Sequence, residues 1–95
     1  MRKYECLYII DAELEEEAIA DAVAKFRQVL EDHGCTEIAV DEWGKRRLAY
    51  EIRKKRDGYY VLMEYDGPAG FVSELERLMG IDERILKYLV TRKEG

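Results

Sequence analysis

This 95-residue sequence predicts an α+β sandwich, with two helices on one face of a four-stranded antiparallel sheet. Three observations lead there. Hydrophobic periodicity switches between the two-residue repeat of strands and the helical repeat of about 3.6 residues, in the order β-α-β-β-α-β. The first and third strand segments are apolar on both faces, which places them centrally. The two middle strands are joined by a short polar turn, so they form an antiparallel hairpin.

The elements follow in chain order. Lys3 to Ile10 alternates as a strand, with Tyr4, Cys6, Tyr8 and Ile10 on one face and Leu7 and Ile9 on the other. From Glu15 to Asp32, Ile19, Val23, Phe26 and Leu30 recur at helical spacing. Glu15, Glu16 and Glu17 suit the positive end of the helix dipole and read as a solvated helix start, and Gly34 supplies a left-handed stop. Glu37 to Arg53 is a second strand with a bulge expected near Gly44. Arg53 to Gly58 reads as the hairpin turn, closed by Asp57-Gly58, and Tyr59 to Tyr65 as the third strand. After the breaker Gly67-Pro68-Ala69-Gly70, Phe71 to Met79 forms a helix closed by Gly80, and Ile85 to Val90 is the last strand.

Right-handed crossovers then give a ferredoxin-like β-α-β-β-α-β sandwich in one domain, residues 1–95, with strands one and three central. One sheet face stays open. Leu7, Val61, Met63 and Leu89, together with Ile9, are expected to line it, and an uncovered apolar surface of that kind marks an interaction site. Trp43 lies outside the clean alternation, as a partner contact or a core cap.

Charge narrows the partner. The chain carries 16 basic and 21 acidic residues, a net of −5, so its overall field does not favour nucleic acid. The charges are segregated, however. Acids crowd Glu13 to Asp21, while cations gather at Arg2-Lys3, Lys45-Arg46-Arg47, Arg53 to Arg56 and Arg92-Lys93. Lys45 to Arg47 is the most telling cluster: adjacent like charges repel and add little stability, so they call for an anion such as phosphate.

Signals for catalysis are sparse. There is one histidine, His33, no nucleophile–base pairing that spacing supports and no glycine-rich phosphate loop, so no catalytic residue, metal ligand or cofactor is assigned. Cys6 and Cys35 lack metal-ligand spacing and read as reduced thiols, with Cys6 filling a core slot. No apolar run reaches membrane length and no signal sequence is legible, so a cytoplasmic protein is expected. Tyr59 and Tyr60 faintly echo an RNA-recognition pattern and read as ordinary sheet residues.

Met1-Arg2-Lys3-Tyr4-Glu5, Trp43-Gly44-Lys45-Arg46-Arg47-Leu48-Ala49-Tyr50-Glu51-Ile52, Gly58-Tyr59-Tyr60 and Asp82 to Val90 together resemble the bacterial small-subunit ribosomal protein six family, across Arg2 to Arg92. The resemblance implies a non-catalytic role: binding the central (platform) domain of small-subunit rRNA, cooperatively with ribosomal protein eighteen, on the ribosome. In that role the phosphate or sugar contacts are expected at Arg2, Lys3, Arg46, Arg47, Lys87 and Arg92, and the partner contacts at Leu7, Trp43, Val61, Met63 and Leu89. Tyr4 stacks on a base or fills the core. Glu51 departs from the family, where many members have proline, and the chain stops at Gly95, before the charged tail of many relatives. Neither a small-molecule module nor an acylphosphatase-like enzyme fits, because Asp11 to Leu14 is not glycine-rich and the chain has no asparagine. The alternative function is a protein–protein adaptor without RNA contact.

Overall fold

The computed structural model describes residues 1–93; Glu94 and Gly95, the end of the expected domain, lie outside the described residues. Strand β1 (Arg2–Asp11) turns Tyr4, Cys6, Tyr8 and Ile10 to one side, where all are buried, and Lys3, Glu5, Leu7 and Ile9 to the other. Helix α1 (Glu16–Asp32) lays Ala22, Phe26 and Leu30 on the first of these faces and ends at Gly34, whose φ of +77° is the expected left-handed stop. Strands β2 (Thr36–Ile52) and β3 (Lys55–Gly67) make a long hairpin, followed by α2 (Phe71–Ile81) and β4 (Ile85–Arg92).

The sheet order is β2-β3-β1-β4, with antiparallel pairing at every step. The sandwich and the central placement of the first and third strands are as the periodicity predicts. The main core lies between the sheet and the two helices: Phe26 and Leu30 from α1 and Phe71, Leu75 and Met79 from α2 meet Tyr4, Cys6, Tyr8, Val61, Met63 and Tyr65. Burying each large side chain of this set contributes roughly 1.5–3 kcal/mol. Tyr8 meets Phe26 edge-on at 5.6 Å between ring centroids, and Tyr4 stacks on Tyr65 at 5.6 Å. Tyr4 is therefore core. Burial also pushes the Cys6 thiol up to about 12, so it stays protonated and inert at neutral pH.

Three expectations change. Val61 and Met63 do not line the open face: both are fully buried under the helices. The register explains this, since Cys6 pairs with Met63 and Tyr8 with Val61, so each pair shares the helix-covered side. The hairpin turn is not at Asp57-Gly58, because β3 begins at Lys55 and the chain reverses at Arg53 and Lys54, with φ of 50° and 64°. Finally, Gly80 lies inside α2, which continues to Ile81 and is capped at Asp82.

The hairpin shapes the open face. At Gly44 (φ +87°) the register slips, since Glu42 opposes Val61 and Gly44 opposes Tyr60, leaving Trp43 as the extra residue of a bulge. A second irregularity follows between Arg47–Asp57 and Ile52–Lys55. The distal hairpin thereby leaves the plane of the sheet as an arm. Leu48 packs on Ile9 of β1 and Leu86 of β4, with Ile52 and Tyr60 around them. At the tip, the Arg53 guanidinium donates to the carbonyl oxygens of Glu83 and Ile85 at 3.0 and 2.7 Å.

Gly58 makes this arm fit. A Cβ there would overlap Ile9 Cγ2 and reach Leu48 Cδ2 at 3.0 Å. Gly58→Ala is expected to destabilise the fold by roughly 1–2 kcal/mol through overpacking. Urea unfolding with an unchanged m-value would measure it, and wild-type stability would show that Ile9 yields without cost.

Candidate docking surface

The face opposite the helices has an apolar middle and charged margins. Leu89, Leu7 and Leu62 lie abreast across β4, β1 and β3, and Ile9 and Tyr60 are paired neighbours in the adjoining row. Leu89 is 58% exposed. Leu7, Ile9, Tyr60, Lys87 and Leu89 border a shallow hollow of about 200 Å³. Trp43 stands beside it with its ring nearly parallel to that of Tyr60, centroids 6.3 Å apart, and Nε1 donates to Asp41 at 3.2 Å. Trp43 is thus a partly exposed wall of the open face, not a cap of the main core.

Cations sit on the same side. The Arg46 guanidinium lies 5.0 Å from the Trp43 ring centroid, close enough for cation–π attraction. Lys87 donates to the Tyr50 hydroxyl at 2.6 Å, tying the arm to the far edge strand. Lys3 pairs with Asp66 at 3.2 Å. Beside it, Lys93 bridges Glu5 and Glu64 at 3.4 and 3.2 Å, closing the lower margin with a charge grid.

The six expected RNA-contact residues do not form one patch. Lys3, Arg46 and Lys87 border the open face. Arg47 pairs with Asp57 at 3.4 Å, and alternation turns it to the side opposite Arg46. Arg2 and Arg92 are exposed near one end of the sheet, with Arg2 facing Gly67 and Arg92 facing Tyr4 across the ladder. Of the five apolar residues expected here, Leu7, Trp43 and Leu89 are on the surface. Leu62, Tyr60 and Tyr50 were missed by the sequence reading. Leu62 carried no signal of its own, because both parities of its strand are apolar and only the register against β1 turns it to this side; Tyr50 reaches the site only through the arm's departure from the sheet.

Among the described residues no group of three or more histidine, cysteine or acidic side chains could hold a metal ion. No described helix is long and apolar enough to cross a membrane. Fold and surface together define a class: a ferredoxin-like sandwich whose open sheet face, walled by a bent hairpin, has the form of a docking surface.

The chain belongs to the ribosomal protein S6 family, whose family model matches residues 3–92. It is similar to small ribosomal subunit protein bS6 of Desulfitobacterium hafniense, with 44% identity over 94 residues, 99% of each chain. The same-named protein of Moorella thermoacetica is 47% identical over 94 residues, 99% of this chain and 96% of the relative. The crystal structure of 30S ribosomal protein S6 from Thermotoga maritima superposes with a TM-score of 0.91 at 26% identity, covering 97% of this chain and 87% of that one.

Proposed function

We propose that this protein is a structural constituent of the small ribosomal subunit that binds the platform domain of its rRNA cooperatively with ribosomal protein eighteen. The observation that carries the reading is the row Leu89-Leu7-Leu62, left uncovered beside Tyr60 and Trp43 and bordered by Lys3, Arg46 and Lys87. An apolar strip gains from covering by a protein, and cations at its edge gain from phosphate. The net charge of −5 makes the pairing cooperative, because a basic companion offsets a field that opposes RNA. A coupling of ~1–3 kcal/mol raises affinity about 5- to 150-fold.

The test is rRNA binding against salt, with and without ribosomal protein eighteen. Each phosphate contact adds about 0.7–0.9 to the log–log slope. Arg46→Ala is expected to flatten the slope of the ternary complex by roughly 0.7–0.9 while leaving the fold intact, since its side chain is exposed. An unchanged slope and affinity would remove Arg46 from the RNA surface. Capture of ribosomal protein eighteen with no RNA affinity under any condition would favour the adaptor function instead.

A further inference from the structure

The run Arg53-Lys54-Lys55-Arg56 is the densest set of cations in the sequence, and the surface described above recruits none of it for RNA. The fold divides the run. Arg53 is committed to two backbone carbonyls. Lys55 is held by Asp11 at 3.4 Å and Glu13 at 2.8 Å, and the hydrogen bond to Glu13 raises its pKa. Lys54 is left, and Arg56 keeps only an exposed pair with Glu51. Among the described residues Lys54 makes no ion pair or hydrogen bond, and Arg56 lies 3.7 Å from Glu51 with its side chain 73% exposed.

Lys54 and Arg56 meet Lys45, which like Lys54 makes no ion pair among the described residues, around a hollow of about 270 Å³ completed by Ala12, Glu13 and Asp57. Both carboxylates in that wall are already countered, Glu13 by Lys55 and Asp57 by Arg47 at 3.4 Å. The hollow is therefore cationic on a chain that is acidic as a whole. Its position is set by the ladder. Lys45 opposes Tyr59, which belongs to the helix-side core, whereas Arg46 opposes Gly58 and sits beside Trp43 on the open side.

The backbone supplies an independent observation. Lys54 sits at φ +64° in a two-residue turn whose geometry suits asparagine and glycine. A side chain kept where the backbone disfavours it is a recurrent mark of a functional position.

We propose that this hollow, between the β1–α1 connection and the arm, is a second phosphate-binding site in which Lys45, Lys54 and Arg56 hold a phosphodiester of the RNA backbone. The proposal rests on the rRNA-binding reading above. With Arg46 on the other side, the arm becomes a finger that RNA contacts from two directions, and Lys54 trades turn stability for a charge placed at its tip.

Three variants test it in the complex with ribosomal protein eighteen and rRNA. Lys45→Ala/Lys54→Ala is expected to flatten the salt slope by roughly 1.4–1.8 with Arg46 and Arg47 intact. Lys54→Gly removes the charge and suits the positive φ, so rRNA affinity falls while Tm does not, which separates loss of contact from loss of fold. Lys54→Arg restores the slope. If these variants bind as wild type while Arg46→Ala still flattens the slope, the hollow is not an RNA site and the broader reading stands. If wild-type complex shows no salt-dependent rRNA binding, both fall. Amide shifts around the hollow on adding inorganic phosphate alone, without any effect of the variants on RNA, would mark a free-anion site and overturn the RNA assignment.

Discussion

Met63→Asp is expected to leave no folded protein at 25 °C, whereas Leu89→Asp, on the opposite face of the same sheet, folds and loses only capture of the proposed partner. Met63 is fully buried among Cys6, Met79 and the other helix-side residues. A carboxylate there has no cation among its apolar neighbours and must either ionise unsolvated or take up a proton, at a cost of several kcal/mol on top of lost packing worth roughly 2–5. Since small domains have total stabilities of about 5–15 kcal/mol, little or nothing remains. Leu89 is 58% exposed, so a carboxylate there stays hydrated and changes stability by about 0.5 kcal/mol or less. Circular dichroism with thermal melting reads the first effect, and co-purification with ribosomal protein eighteen reads the second. A folded Met63→Asp would mean that the helix layer opens to admit water. Undiminished capture by Leu89→Asp would move the partner off the open face.

That pair of residues also shows where the sequence was legible and where it was not. Tyr4, Cys6, Tyr8 and Ile10 announced their shared face, because the alternate set begins with the charged Lys3 and Glu5. In Tyr59-Tyr60-Val61-Leu62-Met63 both parities are apolar, so the strand taken alone contains no vote on which set meets the helices. Only its register against β1 decides, and register is a property of two strands. The turn falls inside the expected Arg53–Gly58 span but at its other end, for a different reason. Asp57-Gly58 carries the chemistry of a hairpin turn, yet Gly58 is required for clearance under Ile9 and Leu48, and the reversal falls on Arg53-Lys54. A local signal was present but answered to a contact distant in sequence. The bulge at Gly44, by contrast, was readable, since a glycine within a strand pattern frees the backbone at that point. Candidate cations were visible as residue types, but the sides they face depend on the irregularities of β2 at Trp43 and beyond Arg47.

The corner between α2 and β4 should govern both acid stability and the posture of the arm. The Asp82 side chain is only 5% exposed. Its Oδ1 accepts from the Arg84 backbone N and Nε, both at 3.0 Å, and its Oδ2 from Arg84 Nη2 at 2.8 Å and Lys25 Nζ at 3.1 Å. The Arg84 guanidinium is the main reason that its carboxyl is held well below the usual range, against the opposing effect of burial. The folded-state value is thus depressed relative to about 3.9 in the unfolded chain. Protons then bind the unfolded state preferentially, so this contribution is complete above the unfolded value and is lost as pH falls through about 4 toward the folded value. Asp82→Ala is expected to cost roughly 2–3 kcal/mol at pH 7, below the range for fully buried pairs because Lys25 and Arg84 can return to water. That lowers Tm by roughly 10–20 °C in a domain of this size. Asp82→Asn should remove the largest single share of the stability slope below about pH 5, where the unfolded carboxylate takes up its proton well before the folded one does. An identical acid slope in wild type and Asp82→Asn would refute the depressed value. The same corner presents the carbonyls of Glu83 and Ile85 to Arg53. Loosening it should therefore raise hydrogen exchange in the arm as well as in β4, coupling the buried carboxylate to the surface that carries Arg46, Tyr50 and Lys54.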